Sequence, residues 1–292
     1  MIIGEKSTGE LVLLFQKELA SFYPETEIKS ILNALFDDIM GWSRATLHLN
    51  QATLLSEEVS LRFMEALGRL AGGEPIQYII GHTEFCGLNL RVQPGVLIPR
   101  PETEELAVMV TRDNLLLRDQ VISILDIGTG SGCLALAMKR AFPKANVTGI
   151  DKSATAIAVA GENARLNHLE ADFVEGDILN LPTLSSTASY HIILSNPPYI
   201  PEQERPTLSR HVADHEPGEA LFVPDNNPLL FYKAIALYAK THLMPHGQIF
   251  VEIHQSRGED TVDLFSGHGF QSVKLLKDYF GNNRFVKALA PA

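Results

Sequence analysis

The sequence is poor in cysteine: its only two, Cys86 and Cys133, lie far apart in unrelated contexts. They offer neither a disulfide framework nor the close spacing of metal ligands. The histidines of the C-terminal part show no ligand spacing with acids or cysteines either (His242, His246, His254 and His268). We therefore expect no metal ion, two reduced and mostly buried thiols, and a cytoplasmic location.

Long hydrophobic runs are also missing. No stretch approaches the roughly 18 to 20 uninterrupted apolar residues of a membrane span. The amino terminus reads MIIGEKSTGE and has no basic region followed by a long apolar run. We expect neither a signal peptide nor a membrane partner.

Positive charge is scarce. Lys and Arg number 24 against 35 Asp and Glu, which gives a formal net charge of −11. Such a chain is poorly suited to non-specific nucleic-acid binding, because that affinity comes largely from basic side chains neutralising phosphates. Residues 1–75 hold 6 basic and 11 acidic residues, net −5, and are an unlikely DNA-recognition module. At 292 residues and 45% hydrophobic, the chain has material for a core and for two domains.

The first 75 residues have helical periodicity. Apolar residues recur on one face in two segments (Leu11, Leu14, Phe15 and Leu19, then Ile28, Ile31, Leu32 and Leu35). Ser56 is a candidate N-cap for a third helix. We predict a helical N-terminal domain over 1–75 and a β-hairpin linker over 76–99, with the hairpin running from about Tyr78 to Ile98.

From residue 100 to residue 292, segments typical of strands alternate with segments typical of helices. This order predicts an α/β domain with a mostly parallel sheet covered by helices on both faces. Two consecutive strands at the C-terminal end suggest a closing antiparallel hairpin. Ligands of such sheets bind beyond the carboxyl ends of the strands.

The first strand of this domain runs into a glycine-rich turn, in the sequence ILDIGTGSGCLAL. Gly128, Gly130 and Gly132 allow a tight turn and a close approach of a ligand to the backbone of Ile127 and Thr129. The dinucleotide fingerprint G-x-G-x-x-G is imperfect, because its third glycine would fall on Cys133. Asp126, just before the turn, would disfavour a pyrophosphate and favour a cationic ligand.

The next two strands also end on acids. Asp151 is placed to accept hydrogen bonds from both hydroxyls of a ribose. Asp177 and Ile178 are placed to meet an adenine by a hydrogen bond and an apolar contact. Ribose, adenine and a cation without phosphates describe S-adenosylmethionine. The alternative, that the glycine-rich segment is only a structural turn, stays open at this point.

A further strand ends abruptly in the sequence IILSNPPYIP, residues 192–201. Neither Pro197 nor Pro198 can donate to a strand ladder, so the strand must stop there. Taken alone, Asn196 and the two prolines could be a strand-ending turn.

Together these motifs resemble those of the release-factor glutamine methyltransferase family. The resemblance rests on DIGTGSGC, GID, SNPPY, GVLIPRPETEEL, HEPGEAL and KDYFGNNRFV, and it covers nearly the whole chain. It implies a seven-stranded, Rossmann-like class I methyltransferase sheet with a small helical N-terminal bundle. The sequence departs from the family after HEPGEAL, where it reads FVPDNNPLLFY instead of a glycine-rich stretch.

The chemistry of an amide explains the residue types of this motif. The side-chain oxygen of Asn196 and the backbone carbonyl of Pro197 can each accept one N–H of a substrate –NH₂, which aims the nitrogen lone pair at a sulfonium methyl. Pro198 helps to fix the backbone where the chain turns after the strand, and Tyr199 could pack its ring against the planar amide of the substrate. We predict these four residues as catalytic and substrate-binding, with Asn196 also contacting the cofactor.

The resemblance implies a protein substrate, the glutamine of the Gly-Gly-Gln motif in class 1 peptide-chain release factors. The products would be N5-methylglutamine and S-adenosylhomocysteine, and the N-terminal domain would dock the partner. Three alternatives remain: a ribosomal-protein glutamine methyltransferase, a nucleic-acid N6-adenine methyltransferase, and a catalytically silent cofactor-binding protein. Arg100 and Glu102 could lie at the mouth of the cleft or simply begin a solvated helix, and His215 and Glu216 suggest a structural or substrate-loop role.

Overall fold

The computed structural model describes residues 6–180 and 188–292. The chain forms two compact units, one of Met1–Gly81 with Ser209–His215 and the other of His82–Leu208 with Glu216–Ala292. The first unit therefore extends six residues past the domain boundary that we predicted at residue 75, and it includes a short segment from far along the chain. Within the described ranges, no helix has both the length and the apolarity needed to cross a membrane.

The first unit is a bundle of short and medium helices. They are α1 (Thr8–Leu19), α2 (Glu25–Met40), α3 (Arg44–Leu49), α4 (Glu57–Ala71) and α5 (Ile76–Ile80). The side chain of Ser56 accepts a hydrogen bond from the backbone N–H of Val59 and so caps α4, as predicted. The apolar faces of α1, α2 and α4 form one buried core that includes Leu11, Phe15, Ile28, Leu35 and Phe63.

The hairpin begins later than we predicted. Residues 76–80 form α5, which ends at Gly81 with a left-handed φ of +82°. The antiparallel strands β1 (His82–Phe85) and β2 (Leu88–Arg91) follow. The isoleucines of residues 76–80 favoured a strand, but Pro75 and Gly81 delimit a single helical turn there instead.

The second unit contains the predicted seven-stranded sheet. Its strands are β3 (Ser123–Ile127), β4 (Asn146–Asp151), β5 (Asp172–Glu175), β6 (Tyr190–Ser195), β9 (Leu243–Glu252), β10 (Gln271–Lys277) and β11 (Asn283–Leu289). Their order across the sheet is β10-β11-β9-β6-β3-β4-β5. The first five in chain order are mutually parallel, and β11 pairs antiparallel with both β9 and β10. A mixed α/β sheet closed by an antiparallel hairpin confirms the predicted fold class.

The remaining elements are helices and one further pair of short strands. The helices are α6 (Pro101–Asp113), α7 (Cys133–Ala141), α8 (Ala154–Leu166), α10 (Gly218–Leu221), α11 (Leu230–His242) and α12 (Gly258–Gly267), and a short α9 (Arg210–Ala213) belongs to the first unit. Two short strands missing from the sequence analysis, β7 (Ile200–Pro201) and β8 (Phe222–Val223), form a separate parallel pair.

The strand order creates a switch point beside β3. From β3 the chain moves to β4 and β5 on one side, and β6 then returns to the other side of β3. The carboxyl ends of these strands lie at one edge, where Ile127 pairs with Ile150 on β4 and with Ser195 on β6. Because β3 and β6 are covered on both faces, their central residues are completely buried. This edge is where such folds bind ligands.

Candidate active site

A cleft of about 470 Å³ opens at the carboxyl edge of the sheet, within the second unit. Ten of the twelve residues that the sequence singled out line it: Ile127, Gly128, Thr129, Gly130, Asp151, Asp177, Ile178, Asn196, Pro197 and Pro198. Asp126 and Tyr199 lie outside the lining. The structure thus brings the glycine-rich turn, both strand-end acids and the asparagine-proline corner (residues 196–199, called the corner below) close together at one cavity. The roles of these residues stay predictions.

The glycine-rich turn presents bare backbone to the cleft. The N–H groups of Gly128 and Thr129 both donate to the carbonyl of Ile150, which fixes the turn against β4. Gly128 and Gly130 have left-handed φ values of +74° and +56°, and a Cβ built on Gly130 would meet no atom of the described residues within 4 Å. A ligand can therefore approach the main chain closely there.

Asp126 is completely buried beneath this turn and does not line the cleft. Its Oδ2 accepts hydrogen bonds from the Thr129 hydroxyl at 2.7 Å and from the Ala135 N–H at 3.1 Å. Its Oδ1 is buried and has no hydrogen-bond partner among the described residues. Burial outweighs the two hydrogen bonds and raises the pKa of Asp126 to about 7.

The two strand-end acids are only partly buried. Asp151 accepts hydrogen bonds from the N–H groups of Gly130 and Ser153, each at 2.9 Å, one to each carboxylate oxygen. Burial nevertheless raises the pKa of Asp151 above its ordinary value. Asp177 accepts from the N–H of Leu179 at 2.9 Å, and the neighbouring Ile178 is buried. Backbone donors thus hold both carboxylates in place at the cleft.

The corner after β6 is tied to the centre of the sheet. The hydroxyl of Ser195 donates to the carbonyl of Ile127 at 2.6 Å, so the ends of β3 and β6 are linked. The next residue, Asn196, donates from its side-chain Nδ2 to the hydroxyl oxygen of Thr103 at 2.9 Å. The backbone N–H of Tyr199 donates to the carbonyl of Leu221, next to the β7–β8 pair.

Behind the corner lies a buried carboxylate that the sequence analysis missed. Glu252, the last residue of β9, is 1% exposed. Its Oε2 accepts from the Thr103 hydroxyl at 2.8 Å, and its Oε1 accepts from the Tyr199 hydroxyl at 3.0 Å. Glu252 ends its strand in the sequence FVEI, just as Asp151 ends β4, and this position could have marked it as a candidate. No neighbouring residue in the sequence connected it to Asn196.

The described residues contain no group of three or more His, Cys, Asp or Glu side chains that could hold a metal ion. Cys86 and Cys133 are both free thiols, and each is half-buried.

Comparisons with known proteins agree with the fold. A family model described as Methyltransferase small domain matches residues 112–214, and one described as PrmC N-terminal domain matches residues 10–81. In the solved structure of a methyltransferase from Pyrococcus furiosus, 99% of the chain aligns with 78% of this one, at a TM-score of 0.52 and 17% identity. This likeness shows the fold alone.

Two curated relatives carry the name release factor glutamine methyltransferase. The protein from Bacteroides thetaiotaomicron is 38% identical over 280 residues, which cover 96% of this chain and 99% of the relative. The protein from Flavobacterium psychrophilum is 39% identical over 274 residues, which cover 94% of this chain and 95% of the relative. At such identity over nearly the full length of both partners, the chain belongs to the release factor glutamine methyltransferase family.

Proposed function

We propose that this protein transfers the methyl group of S-adenosylmethionine to the side-chain nitrogen of the glutamine in the Gly-Gly-Gln motif of class 1 peptide-chain release factors. The observation that carries the proposal is the orientation of Asn196. Its Nδ2 donates to Thr103, so its Oδ1 is the end of the carboxamide left for a ligand in the cleft. Family membership supports the choice of reaction.

The cleft has the features that S-adenosylmethionine requires. Open space over Gly130 can receive the amino-acid part of the cofactor, Asp151 can accept from the ribose hydroxyls, and Ile178 offers an apolar surface to the adenine. Asp126, under the turn, is a buried carboxylate whose ionised form a nearby cation would favour. When bound, the cofactor supplies an electrophilic methyl group on a sulfonium.

Asn196 and Pro197 would activate a poor nucleophile by position. An amide nitrogen has its lone pair delocalised into the carbonyl, and two acceptors that hold both of its hydrogens direct that lone pair at the methyl carbon. As positive charge develops on the nitrogen, the same acceptors stabilise it more strongly than they stabilise the neutral amide. The product nitrogen then loses its proton readily, so a strong general base is unnecessary.

The proposed role of Tyr199 differs from our first expectation. We predicted that its ring packs against the substrate amide, yet Tyr199 does not line the cleft and its hydroxyl is engaged by Glu252. We propose instead that Tyr199 anchors the corner from behind, while Pro198 lines the cleft beside Pro197.

The names of the relatives favour a release factor over a ribosomal protein as substrate. The acidic balance of residues 1–75 favours a protein partner over nucleic acid for the N-terminal unit, which we propose as the docking domain. Separate roles for the helical N-terminal unit, the hairpin linker and the methyltransferase domain, and a cytoplasmic location, where release factors act, belong to the same proposal.

Transfer of a radiolabelled methyl group from S-adenosylmethionine to a purified release factor tests this function. We expect labelling of the release factor, and no labelling after Gln→Ala in its Gly-Gly-Gln motif. Asn196→Ala should retain cofactor binding by calorimetry and lose most turnover. Labelling of a ribosomal protein or of DNA in place of the release factor would reject the substrate, and full turnover of Asn196→Ala would reject the mechanism.

A further inference from the structure

A chain of three hydrogen bonds runs from the cleft into the protein interior. Asn196 Nδ2 lies 2.9 Å from Thr103 Oγ1, Thr103 Oγ1 lies 2.8 Å from Glu252 Oε2, and the Tyr199 hydroxyl lies 3.0 Å from Glu252 Oε1. Thr103 is 2% exposed and Glu252 is 1% exposed, so the bond between them is shielded from water. The chain joins α6, β9 and the corner after β6.

The buried carboxylate of Glu252 determines where the protons lie along this series of hydrogen bonds. An ionised carboxylate can only accept hydrogen bonds, so Glu252 takes the single hydroxyl proton of Thr103. The hydroxyl oxygen of Thr103 then faces Asn196 with lone pairs alone, and it can only accept there. The –NH₂ end of the Asn196 carboxamide must therefore point to Thr103 and its oxygen must point away.

We propose that Thr103 and Glu252 are positioning residues that select which end of the Asn196 carboxamide faces the substrate. The inference deepens the proposed function, because a carboxamide turned the other way would present N–H donors to the N–H groups of the substrate amide. When Glu252 is ionised, the hydrogen bonds through Thr103 also polarise Asn196, since each hydrogen bond strengthens the next. Asn196 Oδ1 then becomes a better acceptor for the positive charge that develops on the substrate nitrogen.

The orientation depends on the charge of Glu252. A proton on its Oε2 would be donated to Thr103, the Thr103 hydroxyl would turn towards Asn196, and the carboxamide would be free to flip. Burial raises the pKa of Glu252 to about 7, against the opposing effect of its hydrogen bonds from Thr103 and Tyr199. The charged or titratable groups around it are Glu102 from α6, Tyr199, Tyr232 from α11 and Arg284 from β11, and of these Glu102 raises this pKa and Arg284 lowers it.

Turnover of matched threonine variants tests the proposal. Thr103→Val keeps the shape and removes the hydroxyl, and we expect it to lower kcat at least about tenfold, the effect of losing one buried hydrogen bond. The KM for the cofactor should stay within about twofold, and Thr103→Ser should restore most of kcat because it restores the hydroxyl. Thr111→Val is the control on the same helix, since the Thr111 hydroxyl donates to the carbonyl of Ala107, which is outside the hydrogen-bonded series.

The pH profile separates positioning from a merely structural role. In the unmodified enzyme kcat should fall as pH drops through about 7, because Glu252 takes up a proton. Glu252→Gln removes that titration, and Thr103→Val disconnects it from Asn196, so neither variant should keep the acid limb. A limb that persists unchanged in both variants would assign it to another group and overturn the proposal.

A readout without methyl transfer keeps this inference distinct from the proposed function. The side-chain ¹⁵N–¹H₂ resonances of Asn196, assigned by their loss in Asn196→Asp, should shift with pH in the unmodified protein and stay constant in Glu252→Gln. Pronounced pH-dependent shifts in Glu252→Gln, or an unaltered kcat in Thr103→Val, would overturn the positioning role. Failure to methylate a release factor while the resonances behave as expected would reject only the substrate.

Discussion

Arg100 forms an ion pair with Glu216, although the two residues lie 116 positions apart in the sequence. The side chain of Glu216 is completely buried. The second carboxylate oxygen of Glu216 accepts from the backbone N–H of Ile98 at 3.2 Å. The pair therefore holds the segment that leads into α6 against the segment after residue 215. Arg100 also lines the cleft, whereas Glu102 does not, and the neighbouring His215 belongs to the first unit, where its Nε2 lies 3.2 Å from the carbonyl of Gly72.

Breaking this ion pair should destabilise the protein strongly. Arg100→Ala leaves the Glu216 carboxylate buried without its cation, and we expect the free energy of unfolding to fall by about 2 to 4 kcal/mol, the lower part of the range reflecting the partial exposure of Arg100. Denaturant unfolding measures the change.

The matched control is Arg62→Ala, which breaks a longer and more exposed ion pair with Asp38 at 3.7 Å. Pairs of this kind contribute about 0 to 1 kcal/mol, so a small effect is expected. Equal losses in the two variants would mean that burial of Glu216 does not govern the energy of the Arg100 pair.

The parts of the fold predicted from the sequence are those encoded locally. The alternation of strand and helix segments, the glycine-rich turn and the N-cap at Ser56 each depend on neighbouring residues, and the structure shows all three. The ten predicted site residues that meet in the cleft were singled out because each lies at or just after the end of a strand, and parallel strands end at the same edge.

The parts that could not be predicted depend on contacts between distant residues. Thr103 and Glu252 lie 149 positions apart. The strand order places β9 next to β6, and the packing of α6 against β9 brings Thr103 to Glu252 behind Asn196. The burial of Asp126 depends on the packing of α7 over β3, so a strand-end acid alone could not reveal it. The segment Ser209–His215 likewise belongs to the helical unit through tertiary packing, with the ring of His211 stacked on that of Tyr23.

A side-chain methyl group at Gly149, on β4, should disturb the glycine-rich turn that follows β3. A Cβ there would lie 2.6 Å from the Thr129 hydroxyl oxygen and 2.8 Å from the Phe173 ring, closer than real contacts allow. Gly149→Ala must displace both side chains, and we expect it to lower the free energy of unfolding by about 1 to 3 kcal/mol. Because Thr129 lines the cleft, cofactor affinity measured by calorimetry should fall as well.

Gly161→Ala provides the opposite control. Gly161 lies within α8, and within the part of the chain that the structure describes a Cβ there would meet nothing within 4 Å. Alanine favours a helix over glycine, so this variant should gain up to about 1 kcal/mol of stability without a change in cofactor affinity. The steric argument fails if the two alanine variants unfold alike.

Asp126 should make folding stability depend on pH in an unusual direction. Its pKa rises from the ordinary 3.8 of an aspartic acid to about 7 in the folded state. Below the lower value the group is protonated in both states, and its contribution to stability is complete. As pH rises towards 7 the unfolded chain ionises first and binds fewer protons than the folded one, so stability decreases until the folded pKa has been passed. The unpaired Oδ1 can carry the proton without losing either hydrogen bond to Oδ2.

Asp126→Asn removes this titration, so the decline of unfolding free energy with pH should become shallower by up to about 1.4 kcal/mol per pH unit between about pH 5 and 7. Denaturant unfolding at several pH values in that interval measures both slopes. Glu252, with its pKa raised in the same direction, should leave a residual decline in the variant, and Asp126→Asn combined with Glu252→Gln should flatten it further. Asp172→Asn, at an exposed position on β5, is the control and should keep the original slope. A slope in Asp126→Asn identical to that of the unmodified protein would show that the buried carboxyl is ionised throughout this interval, because only a group that exchanges protons on unfolding can tilt the curve.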